Sequence, residues 1–544
     1  MEVGVAALSK GGATKNSGES RGESDDMCQM LCGNHSIHDS EPAKAGASRR
    51  EFLMVGASAL GAATVSSTPM PALAAPSQGD LSPESVASDR DLPTETGASH
   101  RRYLLKGGAV LSMDPNVGDF PQGDVLIEGK KIVAVGPNLH APGAAIINAS
   151  GMIVMPGFVD THHHQYQTAL RSFLSDGLLF NDGLPHGEKN YLDYIHTKLT
   201  PVYRPKDAFI AELVASFSQL DAGVTTVVDT SQVGHTPEHT DAVIRGLQEA
   251  GRRAVFVYSP GTGPGNIFPN DLQRLQSQYF SSTDQLVTLA MGGEVFDNAF
   301  RTYWAIARQN GLHIVSHLVG SLNQYTLVEQ LASEGLLGPD IEFIHASHLS
   351  EGSWQAIADS GVTVSISAPI EMTMRHGLPP LQAALDHGVQ PALSTDVECT
   401  MTADFFTQMR SVFTLQRALI NERAVNGETN LPELLTSRDV IRLATVEGAR
   451  VARLSHKIGS LTPGKEADII MLRADAINVA PLNNVPGAVV TLMERSNVDT
   501  VIIAGRIRKW RGALVDVNWA HIRSALEASR DYIFQAAGVQ RVLF

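Results

Sequence analysis

Five side chains able to ligate a metal ion or carry a proton stand at the ends of short apolar runs in this sequence. The first run ends Pro156-Gly157-Phe158-Val159-Asp160-Thr161-His162-His163-His164. Side chains of an extended strand alternate between faces, so His162 and His164 point one way and His163 the other. Two imidazoles two residues apart on one face can hold a single metal ion. Three later runs end at His317, His345 and Asp396. Imidazoles and a carboxylate gathered at one place suit a divalent cation and proton transfer to a polarised substrate. A dry interior has little other use for such a set. No Gly-x-Ser-x-Gly element accompanies them, so covalent serine catalysis has no support.

Gathering them is the task of the elements that carry them. Eight strand-length apolar runs occur, at residues 153–159, 224–229, 254–259, 287–292, 313–317, 341–345, 363–368 and 391–396. Amphipathic helical stretches lie between most of them, as at 205–222, 238–250 and 350–360. Strands alternating with helices predict a parallel sheet, and eight such units predict a closed (β/α)8 TIM barrel. An open doubly wound sheet is the competing layout, but no Gly-rich phosphate loop follows any run. In a barrel the carboxyl ends of the strands share one mouth, which brings His162, His164, His317, His345 and Asp396 together. Gly-bounded β-rich segments at 103–111 and 123–136 read as antiparallel strands. Matching segments return at 467–472, 498–503 and 506–510, which predicts a small composite β-sandwich built from both ends of the mature chain.

The chain has 544 residues, with Lys+Arg 42 against Asp+Glu 57 and a net charge of -15. An acidic surface without a basic patch repels phosphate backbones, so no nucleic-acid partner is expected. Three cysteines, Cys28, Cys32 and Cys399, exclude a disulfide scaffold. Near the N-terminus, Arg49-Arg50, a modest apolar run at 54–63 and Ala72-Leu73-Ala74 occur in order. They resemble a bacterial twin-arginine export signal, with a periplasmic or secreted destination, and the run is too short for a membrane span. The expected organisation is a disordered region plus signal at 1–75, a linker at 76–101 and the N-terminal half of the β-sandwich at 102–155. The barrel follows at 156–454, then the C-terminal half of the β-sandwich at 455–518 and a C-terminal helix at 519–544.

With these motifs in view, the chain resembles the amidohydrolase superfamily, in its cytosine-deaminase-like and triazine-hydrolase-like branch. The resemblance covers nearly the whole mature chain. Its most specific pieces are Val154-Met155-Pro156-Gly157-Phe158-Val159-Asp160-Thr161-His162-x-His164 and Leu393-Ser394-Thr395-Asp396. Ala444-Thr445-Val446-Glu447-Gly448-Ala449-Arg450 and the segment 458–468 add to it. The resemblance implies one divalent metal ion, zinc first and iron or manganese as alternatives, held by His162, His164, His317 and Asp396. It implies that Asp396 shuttles the proton of an attacking water and that His345 orients the substrate and polarises the group under attack. It further implies a small-molecule substrate, a homo-oligomer and hydrolysis of a non-peptide carbon–nitrogen bond.

One departure bears on the reaction. Deaminases of this branch usually carry Glu three residues after the fifth-strand histidine, where it shuttles a proton to a ring nitrogen. In His317-Leu318-Val319-Gly320 that place is glycine, which cannot transfer a proton. Glu294 and Glu371, each following a strand, are the candidate replacements, with His376 and Gln167 as further candidate substrate contacts. Glu294 together with His317 and His345 is also a candidate holder of a second ion. Among the remaining histidines, His348 is expected nearest the site. The main expectation is hydrolysis of a cyclic amide, amidine or related bond. The alternatives are deamination of an aminated heterocycle with a substitute acid, and a non-catalytic binding protein on the same scaffold.

Overall fold

The computed structural model of the chain describes residues 92–544. The expected export signal, and the linker as far as residue 91, lie outside the described residues.

β1 (Arg102–Val110) and β2 (Phe120–Glu128) pair antiparallel, and β2 turns back into β3 (Lys131–Gly136). β4 (Ala145–Asn148) and β5 (Met152–Pro156) then run parallel to β1. At Gly157 the chain leaves this sheet, and β6 (Phe158–His163) opens another. The run expected as one strand over 153–159 is therefore two strands in two sheets. Successive amides serve different neighbours here, the Gly157 N–H donating to the Asp468 carbonyl (3.1 Å) and Phe158 N–H to that of Gly223 (3.1 Å). Glycine is required at this joint, because a Cβ would stand 2.2 Å from the Thr225 side chain.

β6 begins the barrel. It continues through β7 (Val224–Ser231), β8 (Arg253–Tyr258), β9 (Val287–Gly292) and β10 (Ile314–Val319). β11 (Ile341–Ser347), β12 (Thr363–Ile366) and the two-residue β13 (Ala392–Leu393) complete it. All eight lie parallel in sequence order, with helices such as Pro205–Asp221, Pro237–Ala250 and Glu351–Ser360 between them. The expected (β/α)8 barrel is the observed one. Its interior is packed by Val159, Val228, Val257, Val315 and Ile344, with Leu454 and Ile458 from a later segment. The seam between last and first strands closes at the mouth, where Asp396 N–H donates to the His162 carbonyl (3.0 Å) and His164 N–H to that of Asp396 (2.8 Å).

The chain then returns to the first sheet. β14 (Ile469–Arg473) pairs antiparallel with β5 and joins the two halves, followed by β15 (Val498–Ile503), β16 (Arg506–Trp510) and β17 (Ala513–Leu514). The far edge curls back, since Gly464 N–H reaches the Ile132 carbonyl (2.8 Å) and Ala467 N–H that of Lys130 (2.8 Å). The curl encloses its own apolar layer, including Val125, Ile127, Met471 and Ile507. A helix at Trp519–Ala536 ends before the expected 544 and covers the helix Pro205–Asp221. There Ser529 Oγ donates to Asp207 (2.8 Å), and the Arg204 guanidinium sits 3.2 Å from the Tyr532 ring centre. Among the described residues no helix is long and apolar enough to cross a membrane.

Candidate metal centre

The barrel mouth brings together all five groups singled out from the sequence. His162 Nε2 lies 3.2 Å from Asp396 Oδ1, His164 Nε2 lies 3.2 Å from His317 Nε2 and 3.7 Å from Asp396 Oδ1. His345 Nε2 lies 3.6 Å from Asp396 Oδ2. His163 faces away toward Asp160 (3.9 Å), as strand alternation requires.

Each imidazole is held from behind. The Nδ1 of His162 meets the Thr230 hydroxyl (3.0 Å), and that of His164 meets the Thr230 carbonyl (2.9 Å). His317 gives both its backbone N–H (2.8 Å) and its Nδ1 (2.9 Å) to Glu294. His345 Nδ1 meets Glu371 (3.1 Å), which also accepts from Ser367 N–H (2.9 Å). These partners assign the ring protons: a carbonyl only accepts, so His164 carries its proton on Nδ1, and the Glu294 carboxylate does the same for His317. The two Nε2 atoms then present bare lone pairs to each other, with the Asp396 carboxylate alongside. Three acceptors that converge with nothing donating among them call for a cation. Ligand atoms around a tetrahedral zinc stand about 3.3 Å apart, given metal–nitrogen bonds of about 2.0–2.1 Å. The donor set fits such an ion.

The electrostatics agree. Burial, and then repulsion among the rings, holds His162 and His164 well below the ordinary imidazole range, so both offer lone pairs at neutral pH. Burial would raise the Asp396 carboxyl, but the surrounding imidazoles reverse the sign and keep it ionised. His317 runs the other way: burial opposes its protonation but Glu294 outweighs it and raises the imidazole, so a cation at Nε2 competes with a proton there. His345 and Asp396 both adopt left-handed backbone (φ 69° and 62°), a conformation that costs a non-glycine residue about 1–3 kcal/mol. The β10–β11 register slips between Leu318 and Val319, opposite His345, and a bulge of this kind re-aims a side chain at a strand end. Asp160 fixes the other wall, accepting from Thr395 N–H (3.0 Å), Thr395 Oγ1 (2.5 Å) and Gln219 Nε2 (2.5 Å).

Above these residues lies a cavity of about 80 Å³, lined by His164, His317, His345 and Asp396 together with His376, whose ring is 4.5 Å from that of His345. Glu294 and Glu371, expected as cavity carboxylates, do not line it. They are buried behind the histidines, and both Glu294 oxygens are engaged by His317. Gln167 also turns away, its Nε2 donating to the Tyr191 hydroxyl (2.5 Å) and the Tyr166 hydroxyl (3.1 Å). His348 is exposed against Tyr325, whereas His196 reaches the lining instead. Gln232 is a second lining residue that no motif pointed to. Its only signal was its place just past the second strand, where barrel sites lie. Gly320 proves sterically fixed, since a Cβ there would stand 1.7 Å from the His348 carbonyl oxygen. Cys399 is buried outside the lining, and burial pushes its thiol up to about 12.

Comparison with known proteins gives a consistent account. The sequence profile described as the amidohydrolase family matches residues 153–508. A 5'-deoxyadenosine deaminase of Methanosarcina barkeri is 25% identical over 424 residues, covering 74% of this chain and 92% of that protein. A 5-methylthioadenosine/S-adenosylhomocysteine deaminase of Desulfitobacterium hafniense is 27% identical over 428 residues, with 74% and 92% covered. Among solved structures, an adenosine deaminase of Xanthomonas campestris with bound zinc superposes with a TM-score of 0.68 at 22% identity, covering 80% of this chain and 100% of that one. An atrazine chlorohydrolase of Arthrobacter aurescens complexed with zinc gives 0.65 at 21% identity, with 79% and 100% covered.

Proposed function

The chain belongs to the amidohydrolase family and is a hydrolytic enzyme, and from that premise we propose a metal-dependent hydrolase of carbon–nitrogen bonds in a small heterocyclic substrate. The observation that carries this reading is the convergence of bare imidazole lone pairs and the Asp396 carboxylate at the floor of the cavity. His162, His164, His317 and Asp396 would hold one divalent ion, and zinc is the favoured metal because two solved neighbours contain it. Bound there, the ion supplies Lewis acidity that makes water nucleophilic near neutral pH.

The protein's own groups do the rest. Asp396, kept ionised by the rings around it, takes a proton from the attacking water and returns it to the leaving nitrogen. His345 lies on the cavity wall within 3.6 Å of Asp396 and is steadied by Glu371, which suits it to stabilise charge developing on the substrate. The deaminase names of the relatives favour an exocyclic amine as the leaving group. A Glu at Gly320 has no room, and Glu294 and Glu371 lie behind the rings. The remaining titratable side chains that face the cavity beside the metal cluster are His376, His196 and Tyr191, and a proton reaching a ring nitrogen passes through one of these or through Asp396.

The test is ammonium release from metal-loaded protein across aminated heterocycles, with Asp396→Asn as the blank. The expected result is turnover in the wild type and a loss of at least about 10³-fold in the variant, in keeping with removal of a general base. Equal activity in the two proteins would sink the mechanism. Amine or ring-opened product without ammonium would keep the enzyme and remove deamination.

A further inference from the structure

The metal-site residues occupy the floor of the cavity, so substrate choice falls to the remaining lining. Leu192, Phe296, Val319, Leu322, Met374 and Val397 make up much of it. Phe296 stands at the open side, 60% exposed, where a ligand would cover it. The Tyr191 hydroxyl accepts from Gln167 Nε2 and keeps its own O–H as a donor. Apart from the metal cluster, the polar side chains of the lining are Tyr191, His196, Gln232 and His376, and Asp396 is its one carboxylate among the described residues. Two of them carry a buried polar atom with no hydrogen-bond partner among the described residues, the Gln232 side-chain oxygen and His376 Nδ1, and of the two only the Gln232 oxygen is an acceptor in every state. A buried acceptor left unpaired is unfavourable, and turning the Gln232 amide into the cavity to accept a ligand N–H would satisfy it.

We infer that this cavity selects a heterocycle that turns an N–H toward Gln232 and lays an apolar, hydroxyl-free substituent against Leu322, Phe296 and Leu192, in preference to a nucleoside. The inference rests on the cavity's being the reaction site proposed above. A ribose brings hydroxyls that need partners when buried, and a carboxylate is a usual one. Here the lone carboxylate is committed to the imidazole cluster, and Leu192, Phe296 and Leu322 are hydrocarbon. An alkyl group in the same place buries Phe296 and Leu192 without stranding any polar atom. The relatives named for deoxyadenosine and methylthioadenosine would then share this chain's reaction without sharing its preferred substrate.

Equilibrium binding to the zinc-loaded full chain tests the preference separately from turnover. The probes are oxo heterocycles that carry a ring N–H and no amine to lose: 9-propylhypoxanthine against inosine, and 1-propyluracil against uridine. At least one propyl compound is expected to bind about tenfold or more tightly than its ribosyl partner. Phe296→Asn, a change at an exposed position, should shrink that ratio at least threefold. Gln232→Leu should remove the preference of the wild type for the N–H form over its N-methylated counterpart, while zinc content stays unchanged. Equal or tighter binding of the ribosyl compounds overturns the inference. So does the absence of binding by both pairs at millimolar concentration, or an N–H preference that survives Gln232→Leu. Failure of the matched amines to release ammonium, with the propyl preference intact, would instead count against the reaction proposed above.

Discussion

At the residue scale, the residues supporting the rings matter as much to the site as the rings themselves. Glu294 gives His317 its tautomer and its orientation, and Thr230 orients two rings at once, setting the tautomer of His164 through its carbonyl. Glu294→Gln keeps the shape but loses the charge behind Nδ1, so zinc affinity should fall about 10–100-fold. Competition with a chromophoric chelator measures this, and an unchanged affinity would assign Glu294 a different role. The five converging groups were legible in the sequence because a strand end followed by His or Asp is a local pattern. The supporting groups were not. Glu294 and Glu371 were visible as carboxylates after strands, but only the folded chain tells whether such a side chain turns into the mouth or behind a ring. His196 and Gln232 were hidden for the same reason, since they lie on connecting segments whose course no periodicity dictates.

At the element scale, the barrel strands could be read almost residue by residue, because buried parallel strands are continuous apolar runs. The exception was the joint at Gly157, where one apolar run serves two sheets. Both halves are buried, so hydrophobicity carried no mark of the break. The β-sandwich and barrel are also tied by a charge cluster. Arg253, at the start of β8, donates to Asp468 (2.8 Å) and Glu466 (2.6 Å), and all three are buried. Arg253→Met leaves the buried Asp468 without its counter-charge, Glu466 keeping Lys130 (3.6 Å) and Lys131 (3.9 Å), and should cost about 3–5 kcal/mol of stability. Urea denaturation of the metal-loaded protein measures it. A change below about 1 kcal/mol would show that Asp468 is satisfied by other partners.

For the whole molecule, a metal centre set among buried histidines makes stability depend on pH. Burial holds the imidazoles of His345 and His196 at about 4 and that of His376 at about 3, against about 6.5 in an unfolded chain. Between those values the unfolded chain binds more protons, so stability is fully present above about pH 6.5 and drains as the pH falls toward 4 and below. Metal-stripped protein should therefore melt at least about 5 °C lower at pH 4.5 than at pH 7.5, and a flat profile would mean that these rings are solvated. The central claim is that one ion in this mouth powers hydrolysis. Its most direct test is to titrate stripped protein with zinc while following product release from a panel of N-alkylated amino heterocycles. Activity should be absent at the start, rise linearly and level off at one equivalent per chain. Full activity in the stripped protein, or no activity at any level of zinc, cobalt, manganese or ferrous iron, would contradict that claim.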